Sequence, residues 1–284
     1  MSGDRVTVVE VGPRDGLQNE DRILPAAAKV RFVELLADAG LPVVEVTSFV
    51  HPAAVPQLAD AEEVLSSVHR RPGVRYPVLV PNMRGFDRAV AAGADAIAVF
   101  TAASEQFARA NINMTIAESL EAFRPVLAAA RGRGMWTRGY VSTAFGCPYQ
   151  GEVDPADVVR VAEGLAALGC DEVSVGDTIG VAEPPGVERV VAALLERLPV
   201  NRLALHLHDT HGRALENART GLQLGVRTFD GSAAGLGGCP FAPGAPGNLA
   251  TETLVAWLHA EGFETGVDEA ALAEAADYVR TALS

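Results

Sequence analysis

Cysteine is scarce in this chain: its 284 residues include only Cys147, Cys170 and Cys239. A low, odd count excludes a disulfide framework and points to a reducing compartment, the cytoplasm. Aromatic side chains are few too, at 6%, and Ala, Val and Leu take their place. Such a core is expected to be strands and helices packed through small and branched side chains. No apolar run reaches the ~18 residues of a membrane span. The opening MSGDRVTVVEVG enters a strand with no apolar h-region before it, so neither a membrane segment nor a signal peptide is expected. Cations are also in short supply: 23 Lys and Arg face 36 Asp and Glu, a formal charge of -13. Phosphate backbones need clustered cations, which excludes nucleic acid as the main partner. An anionic substrate would have to be met by specific positive groups inside a site.

What is plentiful is apolar residues (49%), glycine (28) and proline (17). Short Val- and Ile-rich runs alternate with longer Ala- and Leu-rich ones. The strand candidates are Val6–Val11, Val43–Thr47, Tyr76–Val80, Ala96–Phe100, Trp136–Val141, Glu172–Gly176, Leu203–His208 and Thr228–Gly231. Helix candidates lie between them, several followed by a glycine suited to a left-handed cap: Gly40, Gly93, Gly132, Gly169, Gly225 and Gly262. Pro25, Pro155 and Pro184 stand near helix starts, where a missing N–H costs little. Eight strand–helix units predict an α/β fold, a (β/α)8 TIM barrel, and about 250 residues is its usual size. A doubly wound sheet is the rival, but no Gly-rich phosphate turn follows the first strand. The chain reads as one domain, with the barrel over about 5–262 and an added helix, Asp268–Leu283, in the extension 263–284.

In a barrel the chemistry gathers at the C-terminal ends of the strands. The loop after the first strand, GPRDGLQNE, presents Arg14, Asp15 and Gln18. The seventh strand carries His206 and His208 in LALHLHDTHG. Residues two apart on a strand share a face, so both imidazoles point inward and can reach one metal ion. After the eighth strand, residues 235–248 hold five Gly and three Pro and can continue neither helix nor strand. Such a shaped loop at the catalytic end suits a lid or binding loop. It carries Cys239, whose thiol near a metal and an arginine could transfer protons. Cys170 reads as core filling and Cys147 as structural. Glu10 and Glu45 lie within apolar strands and Asp177 follows one; a carboxylate there is costly unless partnered. Each could hold Arg14, orient a metal-bound His, or form an ion pair that only supports the barrel. Asp15, His206, His208 and the amide oxygen of Asn248 make an oxygen and nitrogen set without thiolate. That suits Mg²⁺ or Mn²⁺, with Zn²⁺ possible. The residues alone support a metal-assisted lyase or aldolase and leave its substrate open.

The segments VEVGPRDGLQNE, EVTSFVHPAAVPQLAD, YVSTAFGCPYQGEV, VSVGDTIGVA, LHLHDTHGRALEN and GLGGCPFAPGAPGNLATE resemble, in order, the motif series of the 3-hydroxy-3-methylglutaryl-CoA lyases. The likeness runs from about residue 6 to residue 260. Arg-Asp and His-x-His are shared across the wider DRE-TIM metallolyases, whereas GLGGCP followed by GxxGN is far more specific to the lyases. The resemblance implies cleavage of an acyl-CoA substrate to acetyl-CoA and acetoacetate in leucine breakdown, a homodimer or other homo-oligomer, and no membrane or nucleic-acid partner. It implies Asp15, His206, His208 and Asn248 as ligands of the divalent cation. It implies Arg14 as stabiliser of the acetyl-CoA enolate and Cys239 as the proton-transferring cysteine. Glu45 and Asp177 match catalytic positions; Arg14, Gln18 and Ser48 match substrate-binding ones. The initial base is left between Asp177 and a water.

The chain departs from the family's pattern at Asp21, where a Lys is usual, and at His211, where a Tyr is usual. Both bear on the acyl chain handled more than on the reaction class. Three other readings stay open: a lyase for a larger 3-hydroxy-3-alkylglutaryl-CoA, a Claisen-type synthase or aldolase, and a non-catalytic barrel that binds CoA esters.

Overall fold

In the computed structural model, residues 4–237 and 247–284 are described. Cys239 lies outside them. The strands are β1 (Thr7–Glu10), β2 in two pieces (Val43–Val44 and Thr47–Ser48), β3 (Val78–Leu79), β4 (Ala96–Ala102), β5 (Trp136–Ser142), β6 (Glu172–Asp177), β7 (Leu203–Leu207) and β8 (Thr228–Gly231). All pair in parallel with their sequence neighbours, and β8 pairs with β1. The ring closes through β2, which passes its hydrogen bonds from one side to the other. Glu45 N donates to Glu10 O (2.8 Å) on β1, while Val46 N donates to Pro77 O (2.9 Å) beside β3. This is a (β/α)8 barrel.

Among the described residues ten α-helices cover it: α1 (Ala26–Asp38), α2 (Ala61–Ser67), α3 (Met83–Ala91), α4 (Glu105–Ile112), α5 (Ile116–Gly132), α6 (Pro155–Leu168), α7 (Pro184–Leu195), α8 (Ala214–Gln223), α9 (Thr251–Ala260) and the C-terminal α10 (Glu269–Leu283). Asp154 caps α6, with Pro155 as its first residue, and Thr115 with Glu118 makes a reciprocal cap on α5. The expected cap at Gly132 is corrected: α5 runs through Gly132, and the left-handed residue is Gly134 (φ 69°). The α4 helix was not expected between β4 and α5. None of the described helices is long and apolar enough to cross a membrane.

The apolar core lies between sheet and helices, where Val8, Leu205, Leu207 and Phe229 of the strands meet Phe32, Val161, Val191 and Leu254 of the helices. Inside the barrel the layers differ from the usual branched aliphatics. Glu45, Arg138, Ser174 and Asp230 are all buried there, and Arg138 is among the largest fully buried side chains. Burying that much charge is tolerable only if every group is paired.

Candidate active site

The turn after β1 sets the first two side chains. The carbonyl of Val11 accepts from three successive amides, Arg14 (3.1 Å), Asp15 (2.7 Å) and Gly16 (3.2 Å). So tight a winding leaves no room for side chains at its ends. A Cβ at Gly12 would sit 2.7 Å from Glu10 Oε1, and one at Gly16 2.7 Å from Leu236 Cβ. The turn thus fixes Arg14 and Asp15 at the mouth of the barrel.

Along β7 and the residue that follows it, alternation sends Leu205 and Leu207 to the helices and His206 and His208 inward, as expected. Asp15, His206 and His208 each present one ligand atom, all within 4.8 Å of one another. His206 Nε2 lies 4.0 Å from Asp15 Oδ2. Burial works to raise the pKa of Asp15, but Arg14, His206, His208 and the Asn248 amide together hold it down at about 2. Burial and the neighbouring His206 push His208 down to about 3, with Asp15 opposing, so His208 is a neutral imidazole. Its Nδ1 is buried and has no hydrogen-bond partner among the described residues. An ionised carboxylate, a neutral imidazole with an orphaned buried nitrogen and a second imidazole form a set that fits a divalent cation. Asn248 is adjacent, but the group it turns to Asp15 Oδ2 is its amide nitrogen (2.9 Å), which also donates to Leu236 O (3.1 Å). Ligation through its oxygen requires the near-isosteric amide to rotate.

A circuit of buried hydrogen bonds surrounds these ligands. Arg14 donates through Nε to Glu45 Oε2 (3.0 Å) and through Nη1 to Asp15 Oδ1 (2.6 Å). Tyr140 OH donates to the same Glu45 oxygen (3.0 Å) and accepts from Arg138 Nη1 (2.9 Å). Arg138 Nη2 donates to Asp230 Oδ1 (2.6 Å), and Asp230 Oδ2 lies 3.2 Å from His206 Nδ1. Burial would push Asp230 upward, but Arg138 and His206 hold it below the usual carboxylate range. Burial disfavours the His206 imidazolium, yet its bond to Asp230 and the charges of Asp230 and Asp15 raise it above its ordinary value. The circuit opens on a cavity of about 490 Å³ walled by Arg14, Asp15, His206 and His208 on one side and by Phe100, Phe107 and Ile112 on the other.

Most of the expected residues meet here. Glu45 holds Arg14, and Gln18 lines the cavity with its Nε2 donating to Asp15 Oδ1 (3.0 Å). Others need correction. Ser48 is buried and does not line the cavity; its Oγ accepts from Val50 N (3.3 Å). Asp177 ends β6 but turns away: its two oxygens accept from Val181 N (2.9 Å) and Ala182 N (3.0 Å). Burial nonetheless lifts it to about 6. It holds neither Arg14 nor a histidine by hydrogen bond. Glu10 likewise turns to structural partners, accepting from the backbone amides of Gly12 (2.7 Å) and Ala233 (2.9 Å) and from the Thr251 hydroxyl (2.7 Å). Asp21 and His211 are both exposed and line no part of the cavity. Cys147 and Cys170 are free, buried thiols, as read, and burial pushes Cys170 up to about 12.

Sequence reading missed Arg138, Tyr140 and Asp230. The signal for two of them was present: an arginine and an aspartate inside apolar strands are as costly as Glu45.

The HMGL-like family model matches residues 5–279. The mitochondrial hydroxymethylglutaryl-CoA lyase of Bos taurus is 53% identical over 280 residues, covering 99% of this chain and 86% of the relative. A solved HMG-CoA lyase from Brucella melitensis matches with a TM-score of 0.97 at 52% identity, covering 98% of each chain. One from Acinetobacter baumannii, solved with coenzyme A and 3-methylmalate, matches with a TM-score of 0.93 at 37% identity, covering 99% of this chain and 92% of that one.

Proposed function

The chain belongs to the HMGL-like family, and from that footing we propose that it is a carbon–carbon lyase cleaving 3-hydroxy-3-methylglutaryl-CoA to acetyl-CoA and acetoacetate. The observation that carries this reading is the Asp15–His206–His208 cluster set beside Arg14 in one cavity. Mg²⁺ or Mn²⁺ is the cation proposed, because the donors are oxygen and nitrogen without thiolate. When bound, it polarises substrate oxygens and lowers the pKa of the 3-hydroxyl.

The chain's own residues supply the rest. Loss of the hydroxyl proton forms the ketone of acetoacetate as the C2–C3 bond breaks, and the bonding pair passes into the thioester as an enolate. Arg14, fixed by Glu45 and Asp15, offsets the charge on the thioester oxygen. Asp177 has both oxygens engaged by backbone amides, which leaves a water as the acceptor of the hydroxyl proton. Cys239 is the proposed donor of a proton to the enolate carbon, a reading that rests on its sequence motif. Free thiols at Cys147 and Cys170 support a reducing compartment, the cytoplasm.

The test is acetyl-CoA release from 3-hydroxy-3-methylglutaryl-CoA with Mg²⁺ or Mn²⁺, repeated with chelator and with Cys239→Ala. Release of acetyl-CoA with equimolar acetoacetate, lost in chelator and greatly slowed by the substitution, is expected. Turnover unaffected by chelator would remove the cation from the reaction. Unchanged turnover of Cys239→Ala would remove the thiol. No release of either product would move the substrate to a relative with another acyl chain.

A further inference from the structure

His206 can meet a cation only through a nitrogen that carries no proton, and something must decide which of its two nitrogens that is. We propose that Asp230 is a positioning residue that makes this choice, holding the proton on Nδ1 and leaving the Nε2 lone pair free. The inference rests on reading Asp15, His206 and His208 as the cation site.

Sheet register creates the contact. His206 of β7 and Asp230 of β8 are direct Cα partners in the parallel ladder, so both side chains leave the same pleat toward the barrel interior. Asp230 Oδ2 lies 3.2 Å from His206 Nδ1, while Nε2, at the other corner of the ring, faces Asp15 Oδ2 at 4.0 Å. Asp230 is 2% exposed, and its other contacts are donors only. Arg138 Nη2 donates to Oδ1 (2.6 Å), and Ser174 Oγ donates to Oδ2 (3.1 Å). Arg138 cannot accept a hydrogen bond, and a carboxylate facing it can only accept. An accepting Oδ2 requires a donor at His206 Nδ1, so the neutral ring carries its proton there. Four successive strands thus contribute to one decision: Arg138 from β5, Ser174 from β6, His206 from β7 and Asp230 from β8. A partner on the remote nitrogen of a metal-binding histidine is a recurrent way of fixing ring and tautomer.

Replacing Asp230 by Asn turns this logic into a test with little change of volume. The amide has one accepting and one donating end. Arg138, always a donor, claims the amide oxygen, which leaves the NH₂ facing His206 Nδ1. The ring must then accept at Nδ1 and carry its proton on Nε2, the corner that faces Asp15. The experiment combines calorimetric titration of Mn²⁺ into metal-stripped protein with ¹⁵N-imidazole NMR of the same samples without metal. Recorded at a pH high enough to deprotonate the imidazolium, wild-type His206 is expected as the Nδ1–H form. Asp230→Asn is expected as the Nε2–H form, with Mn²⁺ bound about 10–100-fold more weakly.

An Nε2–H signal in the wild type, or wild-type Mn²⁺ affinity in a folded Asp230→Asn protein, overturns the proposal. Should Asp230→Asn fail to fold, the wild-type ring signal decides alone. An Nδ1–H wild type that binds no Mn²⁺ would sink the cation site while upholding the assignment of the tautomer.

Discussion

Arg14 divides its guanidinium between two carboxylates, with Nε and Nη2 on Glu45 and Nη1 on Asp15. A planar fork can do this and a lysine ammonium cannot. In Arg14→Lys one charge remains, but one of the two carboxylates loses its partner and the donor aimed at the cavity shifts. Loss of one aligned donor to a developing oxyanion costs about 10²–10³ in kcat. Arg14→Lys should lose that much, with KM changing far less, as steady-state acetyl-CoA release would measure; a kcat within a few-fold of wild type would take Arg14 out of the charge-stabilising role. Residues such as Arg14, Asp15, His206 and His208 were legible in the sequence because each is expensive in its position and sits after, or at the end of, a strand. Asp230 was not. Its partner His206 lies 24 residues away, and only the register of β7 on β8 reveals that the two face each other. At Asp177 the cost of a buried carboxylate is met locally, since a carboxylate at a strand end satisfies two backbone amides as readily as it serves catalysis.

At the scale of elements, seven of the eight strands were legible as continuous runs, and the eighth, Val43–Thr47, proved to be two short pieces that close the ring. The α4 helix escaped because little of it is apolar and inward-facing. Only Phe107 and Ala108 of its residues are buried, and its start depends on a Ser104 cap rather than on periodicity. Segments of this kind are anchored by single polar contacts. Lys29, the only lysine in the chain, is another such anchor. From α1 it reaches Asp60 Oδ1 (2.6 Å) and the carbonyl of Gln57, whose side chain in turn donates to Glu20 O (2.9 Å). It therefore ties α1 to the stretch before α2 and to the end of the Arg14 loop. Lys29→Met keeps the stem but strands Asp60. Removing one partner of a fully buried pair costs about 3–5 kcal/mol, and because Asp60 is 25% exposed a loss of about 2 kcal/mol is expected. Urea denaturation should show a lower midpoint with an unchanged slope; an unmoved midpoint would show that the pair contributes nothing net.

Across the whole molecule, charge is arranged so that stability and pH pull in two directions. Asp15 is held down at about 2, so what it contributes is present above about pH 4 and lost as acid approaches about 2, and Asp230, also held below its ordinary value, contributes with the same sign. Glu10 has the opposite sign. Burial raises it from 4.5 to about 7, despite hydrogen bonds from Thr251, Ala233 and Gly12 that oppose the rise. Between those two values the folded state holds a proton that the unfolded state has released, so Glu10 makes folding less favourable as pH climbs from about 4.5 to about 7. Asp177, lifted to about 6, adds a contribution of the same sign. A shift of this size corresponds to about 3 kcal/mol across the window. Glu10 is also where β1, the turn after β8 and the start of α9 are fastened to one carboxyl group. The effect is therefore on global unfolding and not on a frayed edge. Glu10→Gln preserves an acceptor for the amides and cannot titrate, and Thr251 Oγ1 can reverse to accept from its NH₂. Its stability relative to wild type should accordingly improve by up to about 3 kcal/mol between pH 4.5 and pH 7. Parallel stability curves for the two proteins over that window, measured by denaturant unfolding at each pH, would mean that Glu10 titrates alike in the folded and unfolded chain.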